Sequence, residues 1–350
     1  MGINTALLKQ ICEIAGAPGF EKRIREFIIK EVTPLVDEVR VDNMGNVMAI
    51  KKGVNNPENR KVMVAAHMDE IGFIVTHIDE NGFLRFHTLG GFDPKTLTAQ
   101  RVIVHGTKDL IGVMGSKPIH VMTQEEKNKL PKVTDYFIDM GMSKEEVEKY
   151  IKIGDPITRD RELIEMGDCV NCKSIDNRVA VFILLETMRT LEKPAYDVYA
   201  TFTVQEEVGI RGANVAAHFI NPDFGIALDT TIAYDVPGAA AHEKITELGK
   251  GTAIKIMDAS TICDFRMVDF MKATADRNNI TWQPEILTAG GTDTAGVQRM
   301  GKQGAIAGAI SIPTRHLHQV IEMAHKSDIG LSIQLLKVCL EEIDGYDWKH

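Results

Sequence analysis

Apolar and polar positions along the chain predict strands that alternate with helices. Residues 61–66 form a continuous apolar run typical of a buried strand, and 197–205 and 225–229 are further predicted strands. Between these strands, 177–191 and 211–219 carry the apolar spacing of helices. This alternation predicts an α/β fold, with a mostly parallel, mixed sheet flanked by helices.

The pattern changes at Ile71. Short alternating runs (GFIVTHI, FLRFHTLG, RVIVHG and LIGVMGS) are separated there by Gly, Asn and Asp turns, which is typical of a small β-barrel. Ser143 and Glu146 have the spacing of a helix-capping box. We therefore expect an inserted, barrel-like β domain at 70–164. The larger α/β domain would be formed by 1–69 together with 165–350.

Composition supports two domains and narrows the class of partner. The chain has 350 residues, 44% of them hydrophobic, and single cores stop growing at about 250–300 residues. A net charge of −9 and a pI near 5.7 argue against nucleic acid or an anionic membrane as the main partner. No basic leader and no apolar run of about 20 residues is present in the sequence, so we expect a cytoplasmic protein.

The cysteines do not predict a disulfide framework. The chain has five, an odd number for its length, and Cys169 and Cys172 form an isolated C-x-x-C. A zinc site would need a second Cys or His pair nearby, which the sequence does not provide. We interpret them as structural thiols.

Two adjacent carboxylates, Glu206 and Glu207, follow a predicted strand in the segment VQEEVGIR. Neighbouring side chains on an extended backbone point in opposite directions, so one glutamate could hold a metal ion while the other transfers protons. A glutamate pair by itself is more often a solvated loop, because glutamate is mostly exposed in proteins. The other residues found at strand ends favour the functional interpretation.

Further candidates also lie at the ends of predicted elements. His67 and Asp69 follow the strand 61–66, and Asp229 ends the run GIALD. Asp176 lies at a helix start and His318 follows SIPTRHL. Each has an ordinary explanation, such as a helix cap for Asp176 or a surface position for His318. Because active sites of such sheets form at the carboxyl ends of the strands, we expect these residues to converge.

Histidine and carboxylate ligands without cysteine favour zinc, cobalt or manganese. Five ligands exceed the three of a typical catalytic zinc site, whereas a bridging carboxylate would let them hold two ions about 3.5–4 Å apart. Water shared by two such ions would have its pKa lowered to about neutrality. The remaining glutamate could then accept its proton and return it to a leaving amine.

Six motifs in the chain resemble those of the glutamyl and deblocking aminopeptidases, a two-metal family that includes large tetrahedral dodecamers. In chain order, the motifs are HMDEIG, SIDNR, VQEEVGIRGA, ALD, GGTDT and IPTRHLH. The resemblance covers essentially the whole chain, including the predicted β insertion. It therefore implies a catalytic metallopeptidase domain interrupted by an oligomerisation domain.

The resemblance also implies a role for each candidate. It implies two divalent ions, zinc or cobalt, with this assignment: His67 and Asp229 on one ion, Glu207 and His318 on the other, Asp176 bridging both, Glu206 as general base and Asp69 as a supporting carboxylate. The chain departs from the family pattern at Arg315–Gln319, where His316 replaces the usual tyrosine, and the spacing from Asp229 favours His318 as the ligand. Asp293 matches a family motif whose role the sequence does not reveal.

We therefore predict a metal-dependent aminopeptidase, a hydrolase that releases N-terminal residues from short peptides through a water bridging two metal ions. The resemblance implies a homo-oligomer in which dimers assemble into a dodecamer. A related metal-dependent carboxypeptidase or deacylase is the alternative enzyme. A glycoside hydrolase would also use paired carboxylates, but it would not need the histidines. A catalytically inactive binding or assembly protein of the same fold is the non-enzyme alternative.

Overall fold

Two β-sheets organise the protein, whose structure is a computed structural model that describes residues 2–350. In chain order the strands are β1 (Glu38–Val41), β2 (Val47–Lys51), β3 (Lys61–His67), β4 (Gly72–Ile78), β5 (Leu84–Leu89), β6 (Arg101–His105), β7 (Asp109–Gly115), β8 (Phe137–Asp139), β9 (Pro156–Arg159), β10 (Ile164–Met166), β11 (Cys169–Cys172), β12 (Asp197–Thr203), β13 (Phe224–Ile232), β14 (Thr252–Met257), β15 (Trp282–Ile286), β16 (Ile306–Arg315) and β17 (Glu322–His325). The α-helices are α1 (Thr5–Glu13), α2 (Lys22–Val32), α3 (Gln124–Lys127), α4 (Lys144–Val147), α5 (Ile175–Thr190), α6 (Arg211–Ile220), α7 (Phe265–Arg277), α8 (Thr294–Arg299) and α9 (Lys326–Glu342).

The larger sheet is mixed and has a parallel centre. Its strand order is β1-β2-β12-β3-β13-β16-β17-β11-β10, with β14 and β15 attached beside β16. β12, β3, β13 and β16 are parallel neighbours, so their carboxyl ends share one edge. The outer neighbours β2 and β17 run antiparallel to this centre. The prediction of an α/β fold with a mostly parallel, mixed sheet is confirmed.

Helices cover both faces of this sheet, which explains why its central strands are apolar throughout. In β3 every residue after Lys61 is buried. On one face, α5 packs against β3 and β13, and α9 packs against α5. On the other face, α6 and α8 pack closely through small side chains, including Ala216 and Ala217, against Met63 and Ala65 of β3.

Some predicted boundaries are shifted for physical reasons. The strand predicted over 197–205 ends at Thr203, because the next backbone N–H, that of Val204, donates to the side chain of Asn46 instead of to a strand. α2 begins at Lys22, after a turn in which Gly19 has a left-handed φ of +85°. Residues 42–46 form the turn of the antiparallel hairpin between β1 and β2.

The smaller sheet is a closed barrel with the strand order β4-β5-β8-β7-β6-β9. Its interior is a separate core that contains Phe73, Leu84, Val102, Val104 and Ile138. The predicted capping box also forms, because the Ser143 hydroxyl accepts from Glu146 N and the Glu146 carboxylate accepts from Ser143 N at the start of α4. The barrel-like β domain is therefore confirmed as a fold element, while the boundaries 70–164 stay a prediction.

All five cysteines are free thiols, four of them buried and Cys169 half-buried. This agrees with their interpretation as structural residues. Among residues 2–350, no helix combines the length and the apolar character needed to cross a membrane.

A buried ionic cluster joins the segment entering the barrel to the segment entering α5. Lys173 Nζ lies 2.6 Å and 2.5 Å from the two carboxylate oxygens of Glu70, and Arg178 Nη2 lies 3.6 Å from Glu70 Oε1. All three side chains are at most 3% exposed. Removing one partner of such a pair leaves a buried charge without full compensation, which is strongly destabilising.

Replacing Lys173 by Met should lower the free energy of unfolding by about 3–5 kcal/mol, because Glu70 would keep only the more distant Arg178. Urea titration followed by circular dichroism measures the loss. Lys117→Met is the matched control, since Lys117 pairs with Glu126 at the surface and such pairs contribute about 0–1 kcal/mol. Equal midpoints for the two variants would contradict the importance of the buried cluster.

Candidate metal centre

The predicted site residues lie along the edge where the parallel strands end. His67 is the last residue of β3, and Asp229 lies in the C-terminal half of β13. Glu206 and Glu207 follow the end of β12, and His318 follows β16. The register pairs Thr203 with His67 where β12 and β3 end, and Asp229 with Ser311 three and four residues before β13 and β16 end. The expected convergence at one edge is observed.

Asp176 stands between two groups of potential ligands. His67 Nε2 lies 3.3 Å from Asp176 Oδ1 and 3.7 Å from Asp229 Oδ1. His318 Nε2 lies 3.5 Å from Asp176 Oδ2 and 3.6 Å from Glu207 Oε2. In each group of three residues, one ligand atom per residue lies within 4.8 Å of the others. We call these two groups, which share Asp176, the ligand trios, and each carboxylate oxygen of Asp176 faces one of them.

The polar atoms of the site fit divalent cations. Asp176 Oδ1 and Glu207 Oε1 are buried and have no hydrogen-bond partner, although buried polar atoms in proteins are normally paired. Carboxylate oxygens and imidazole nitrogens are the donors that zinc and related ions prefer. A cation in each trio would satisfy these atoms and offset the repulsion between the carboxylates.

The pKa values reflect this concentration of buried acids. Burial raises the pKa of Glu207 to about 8, and the charge of Asp176 contributes to the shift. Burial likewise raises the pKa of Glu206 and of Asp229 above their usual values. Asp176 is the exception: burial opposes its ionisation, but the imidazoles of His318 and His67 hold its pKa below the usual range. The side chains alone therefore do not balance the negative charge, and a cation would favour the ionised forms.

Asp69 supports this site through hydrogen bonds to the backbone of both glutamates. It is fully buried, and its Oδ1 and Oδ2 accept from the backbone N–H groups of Glu206 (3.1 Å) and Glu207 (3.2 Å). His67 Nδ1 lies 3.2 Å from the Asp69 carbonyl oxygen and 3.4 Å from Oδ1, which leaves Nε2 directed at the ligand group. Such contacts orient metal ligands in many proteins.

Glu206 belongs to neither trio. Its side chain is 10% exposed, and Oε2 lies 3.8 Å from His67 Nε2. It lines a cavity of about 520 Å³ together with the clustered residues. A carboxylate in this position is free to exchange a proton with a reacting group in the cavity.

The structure distinguishes the two histidines of the segment Arg315–Gln319. The ring of His318 approaches Asp176 and Glu207, whereas His316 is exposed and belongs to neither trio. Both residues have φ values of +60°, the left-handed region, which turns the chain sharply after β16. The spacing argument that favoured His318 agrees with this geometry.

Asp293 lies behind the site and lines no part of the cavity. It is buried, and its Oδ2 accepts from the Thr203 hydroxyl at 2.5 Å. Burial raises the pKa of Asp293 to about 7.

Sequence reasoning missed several supporting residues. The buried carboxylate of Glu322 accepts from Asp176 N at 2.9 Å, and a cis peptide bond joins Asp176 to Asn177. In the cavity wall, Lys255 Nζ lies 2.7 Å from Glu285 Oε1 and 3.3 Å from Asp258 Oδ2. Glu322, Lys255 and Glu285 lie within strands, so only the presence of a charged residue in a strand could have marked them.

A mixed sheet flanked by helices, with histidines and carboxylates gathered at the ends of its parallel strands, is typical of metal-dependent hydrolases. Within that class, the chain belongs to the M42 glutamyl aminopeptidase family, whose sequence profile matches residues 45–335. The resemblance inferred from the six motifs is thereby confirmed. Membership of this metallopeptidase family implies divalent metal ions as cofactors.

Three relatives illustrate the match. A lysyl aminopeptidase of Pyrococcus furiosus is 33% identical, with 99% of both chains covered. An aminopeptidase structure from Desulfurococcus kamchatkensis has 39% identity and a TM-score of 0.92, covering 96% of this chain and 94% of its own. The TET1 peptidase of Pyrococcus horikoshii, which can assemble into a tetrahedron or a large octahedral shell, has 32% identity and a TM-score of 0.85, covering 97% and 99%.

Divalent zinc or cobalt should stabilise the folded protein after chelator treatment, because a cation offsets the repulsion among the buried carboxylates. At a free ion concentration 100 times Kd, the expected gain is about 2.7 kcal/mol, measured as a rise in the thermal midpoint. Asp176→Ala should remove most of the rise, whereas Asp168→Ala, at an exposed position, should keep it. An equal rise in both variants would place the cation elsewhere.

Proposed function

We propose that this protein is an aminopeptidase that uses two metal ions to release N-terminal residues from short peptides. The observation that carries the proposal is the pair of ligand trios that share Asp176. Glu206 lies beside them and belongs to neither trio. We propose that His67 and Asp229 hold one ion and that Glu207 and His318 hold the other. The donor set favours zinc or cobalt.

Ions held there would polarise the scissile carbonyl and acidify a water molecule. Glu206 would take the proton from the attacking water and later donate it to the amine that leaves. Asp69 would keep both glutamates in place through their backbone N–H groups. Glu206 and Asp69 are thus the proposed catalytic acid–base residue and its support.

The cavity is consistent with a small substrate. Its volume of about 520 Å³ lies within the range of about 300–1,000 Å³ that is usual for small-molecule sites. The wall beyond the proposed metal ligands includes Ile210, Ile232, Leu287 and Leu317 together with four glycines. One N-terminal residue and the adjoining peptide bond could be enclosed there.

We further propose that the barrel domain, residues 70–164, carries the contacts of a homo-oligomer in which dimers build a dodecamer. The assemblies of the Pyrococcus horikoshii relative support this proposal. So do the exposed apolar side chains on β7 and the segment after it, which would be covered in an assembly: Ile111, Val113, Ile119, Val121 and Leu130. Mass measurement in solution tests it, and a monomer at all concentrations would refute it.

Glu206→Gln should keep the metal content and lower kcat by about 10²–10⁴-fold, the usual contribution of general acid–base catalysis. Inductively coupled plasma mass spectrometry measures the bound metal, and hydrolysis of an aminoacyl reporter substrate measures turnover. Glu162→Gln, whose side chain is 82% exposed, is the control. Unchanged turnover would reject the role of Glu206, and loss of metal would show that Glu206 and Glu207 had been exchanged.

A substrate panel separates the remaining enzyme classes. Peptides with a free α-amine should be cleaved, their N-acetylated counterparts should not, and chelation should abolish activity until metal is restored. Preference for acylated peptides or for C-terminal cleavage would indicate a deacylase or carboxypeptidase. Chelator-resistant hydrolysis of a glycoside would indicate carboxylate chemistry without metal. Absence of both bound metal and hydrolysis would favour the binding-protein alternative.

A further inference from the structure

The backbone that carries the two glutamates is held by side chains from distant parts of the chain. Four consecutive N–H groups after β12 donate to side-chain oxygens and to no neighbouring strand. These bonds are Val204 N to Asn46 Oδ1 (3.0 Å), Gln205 N to Glu21 Oε1 (3.2 Å), Glu206 N to Asp69 Oδ1 (3.1 Å) and Glu207 N to Asp69 Oδ2 (3.2 Å). We call this set of bonds the amide clamp.

The segment in the clamp has an unfavourable backbone conformation. Gln205 has a φ of +54°, the left-handed region that side chains other than glycine rarely adopt. Such conformations persist at functional sites only when the surrounding structure imposes them. Here the turn at Gln205 separates the strand from the glutamate pair, so bonds on both sides of the turn fix the direction in which Glu206 and Glu207 point.

Glu21 is a buried carboxyl group that holds the backbone at Gln205. It precedes α2, is 3% exposed, and its Oε1 accepts from Gly19 N (2.7 Å) as well as from Gln205 N. Burying a carboxyl group is costly unless its hydrogen bonds are good. Glu21 is absent from both ligand trios and from the cavity wall. Its hydrogen bond from Gln205 N is therefore its direct contact with the loop that carries the two glutamates.

Asn46 fixes the other side of the loop. It is fully buried; while Oδ1 accepts from Val204 N, its Nδ2 donates to Asp42 Oδ2 (2.6 Å) and to Gly212 O (3.1 Å). Gly212 N in turn donates to Val204 O at 3.0 Å. A Cβ atom at Gly212 would lie 2.3 Å from Val204 O, so only glycine permits this closure. Both ends of the loop 204–212 are therefore anchored to one asparagine.

We propose that Glu21 and Asn46 are positioning residues for the glutamate pair, acting with Asp69 through the amide clamp. This inference rests on the proposed function, because it assigns the clamp to the alignment of Glu206 for proton transfer. Neither residue touches the cavity, so neither contributes to substrate affinity. Loss of the Glu21 or Asn46 bond should lower kcat and leave KM and metal content nearly unchanged, because Asp69 still holds the backbone N–H of Glu207, the proposed metal ligand.

Glu21→Met and Glu21→Gln test the proposal as a matched pair of similar size. Methionine fills the space without an oxygen acceptor, so kcat should fall about 10- to 100-fold, as expected for a misplaced catalytic group. Glutamine keeps an acceptor at Oε1, so kcat should stay within a factor of about three of wild type. Glu26→Met, one turn further along α2 at an exposed position, is the control. Equal loss in the methionine and glutamine variants would overturn the inference.

A double-mutant cycle separates positioning from general damage. If Glu21 acts through Glu206, adding Glu21→Met to Glu206→Gln should lower kcat by less than about twofold more, because the aligned group is already lost. A full additional loss would overturn the inference. Should Glu21→Met fail to fold, Glu21→Asp replaces it, since the shorter side chain keeps the charge but withdraws the acceptor. In that case, unchanged kcat would overturn the inference.

The two proposals fail in different ways. Wild-type protein without chelator-sensitive release of N-terminal residues would refute the proposed function. Active wild-type protein with an equally active Glu21→Met variant would refute the amide clamp alone.

Discussion

The structure depends on holding several buried carboxylates and two imidazoles close together at the ends of the parallel strands. In each trio that contains Asp176 the ligand atoms lie within 4.8 Å of one another, and the side chains of Asp176, Glu207, Asp229 and His67 are at most 10% exposed. Like charges at this density are unfavourable in a folded protein. Lys255 offsets only part of the repulsion: its charge favours the ionised form of Asp229, but its ammonium group is already paired with Glu285 and Asp258. Divalent cations, the cofactors implied by the family, would balance the charge.

One short stretch of chain meets several demands of this site at once. His67 ends the central strand and faces a ligand trio, and two residues later Asp69 binds the backbone of both glutamates. Glu70 then forms the buried ion pair with Lys173, which fixes the segment leading to Asp176. The chain enters the barrel directly afterwards. Residues 67–70 therefore connect the ligand trios, the residues that support them and the barrel. A change in this stretch would affect all three.

The sequence determined the fold class and most of the site, because both follow from local patterns. Apolar strand runs followed by polar residues predicted the carboxyl edge of a parallel sheet, and such edges meet in space whatever the details of packing. His67, Glu206, Glu207 and Asp229 could be found in this way. The alternating runs after Ile71 predicted the barrel for the same reason, since strand periodicity is read from neighbouring residues.

Tertiary structure alone decided how these residues are supported and aimed. Glu21 and Asn46 come from the first fifty residues, yet they bind the backbone at 204–205, and no local pattern connects positions so far apart. The division of the two Asp176 oxygens between two trios likewise depends on packing among separate elements. Sequence periodicity specifies which face of an element is buried, whereas the hydrogen-bond partner of a buried polar atom is specified only when the elements are assembled.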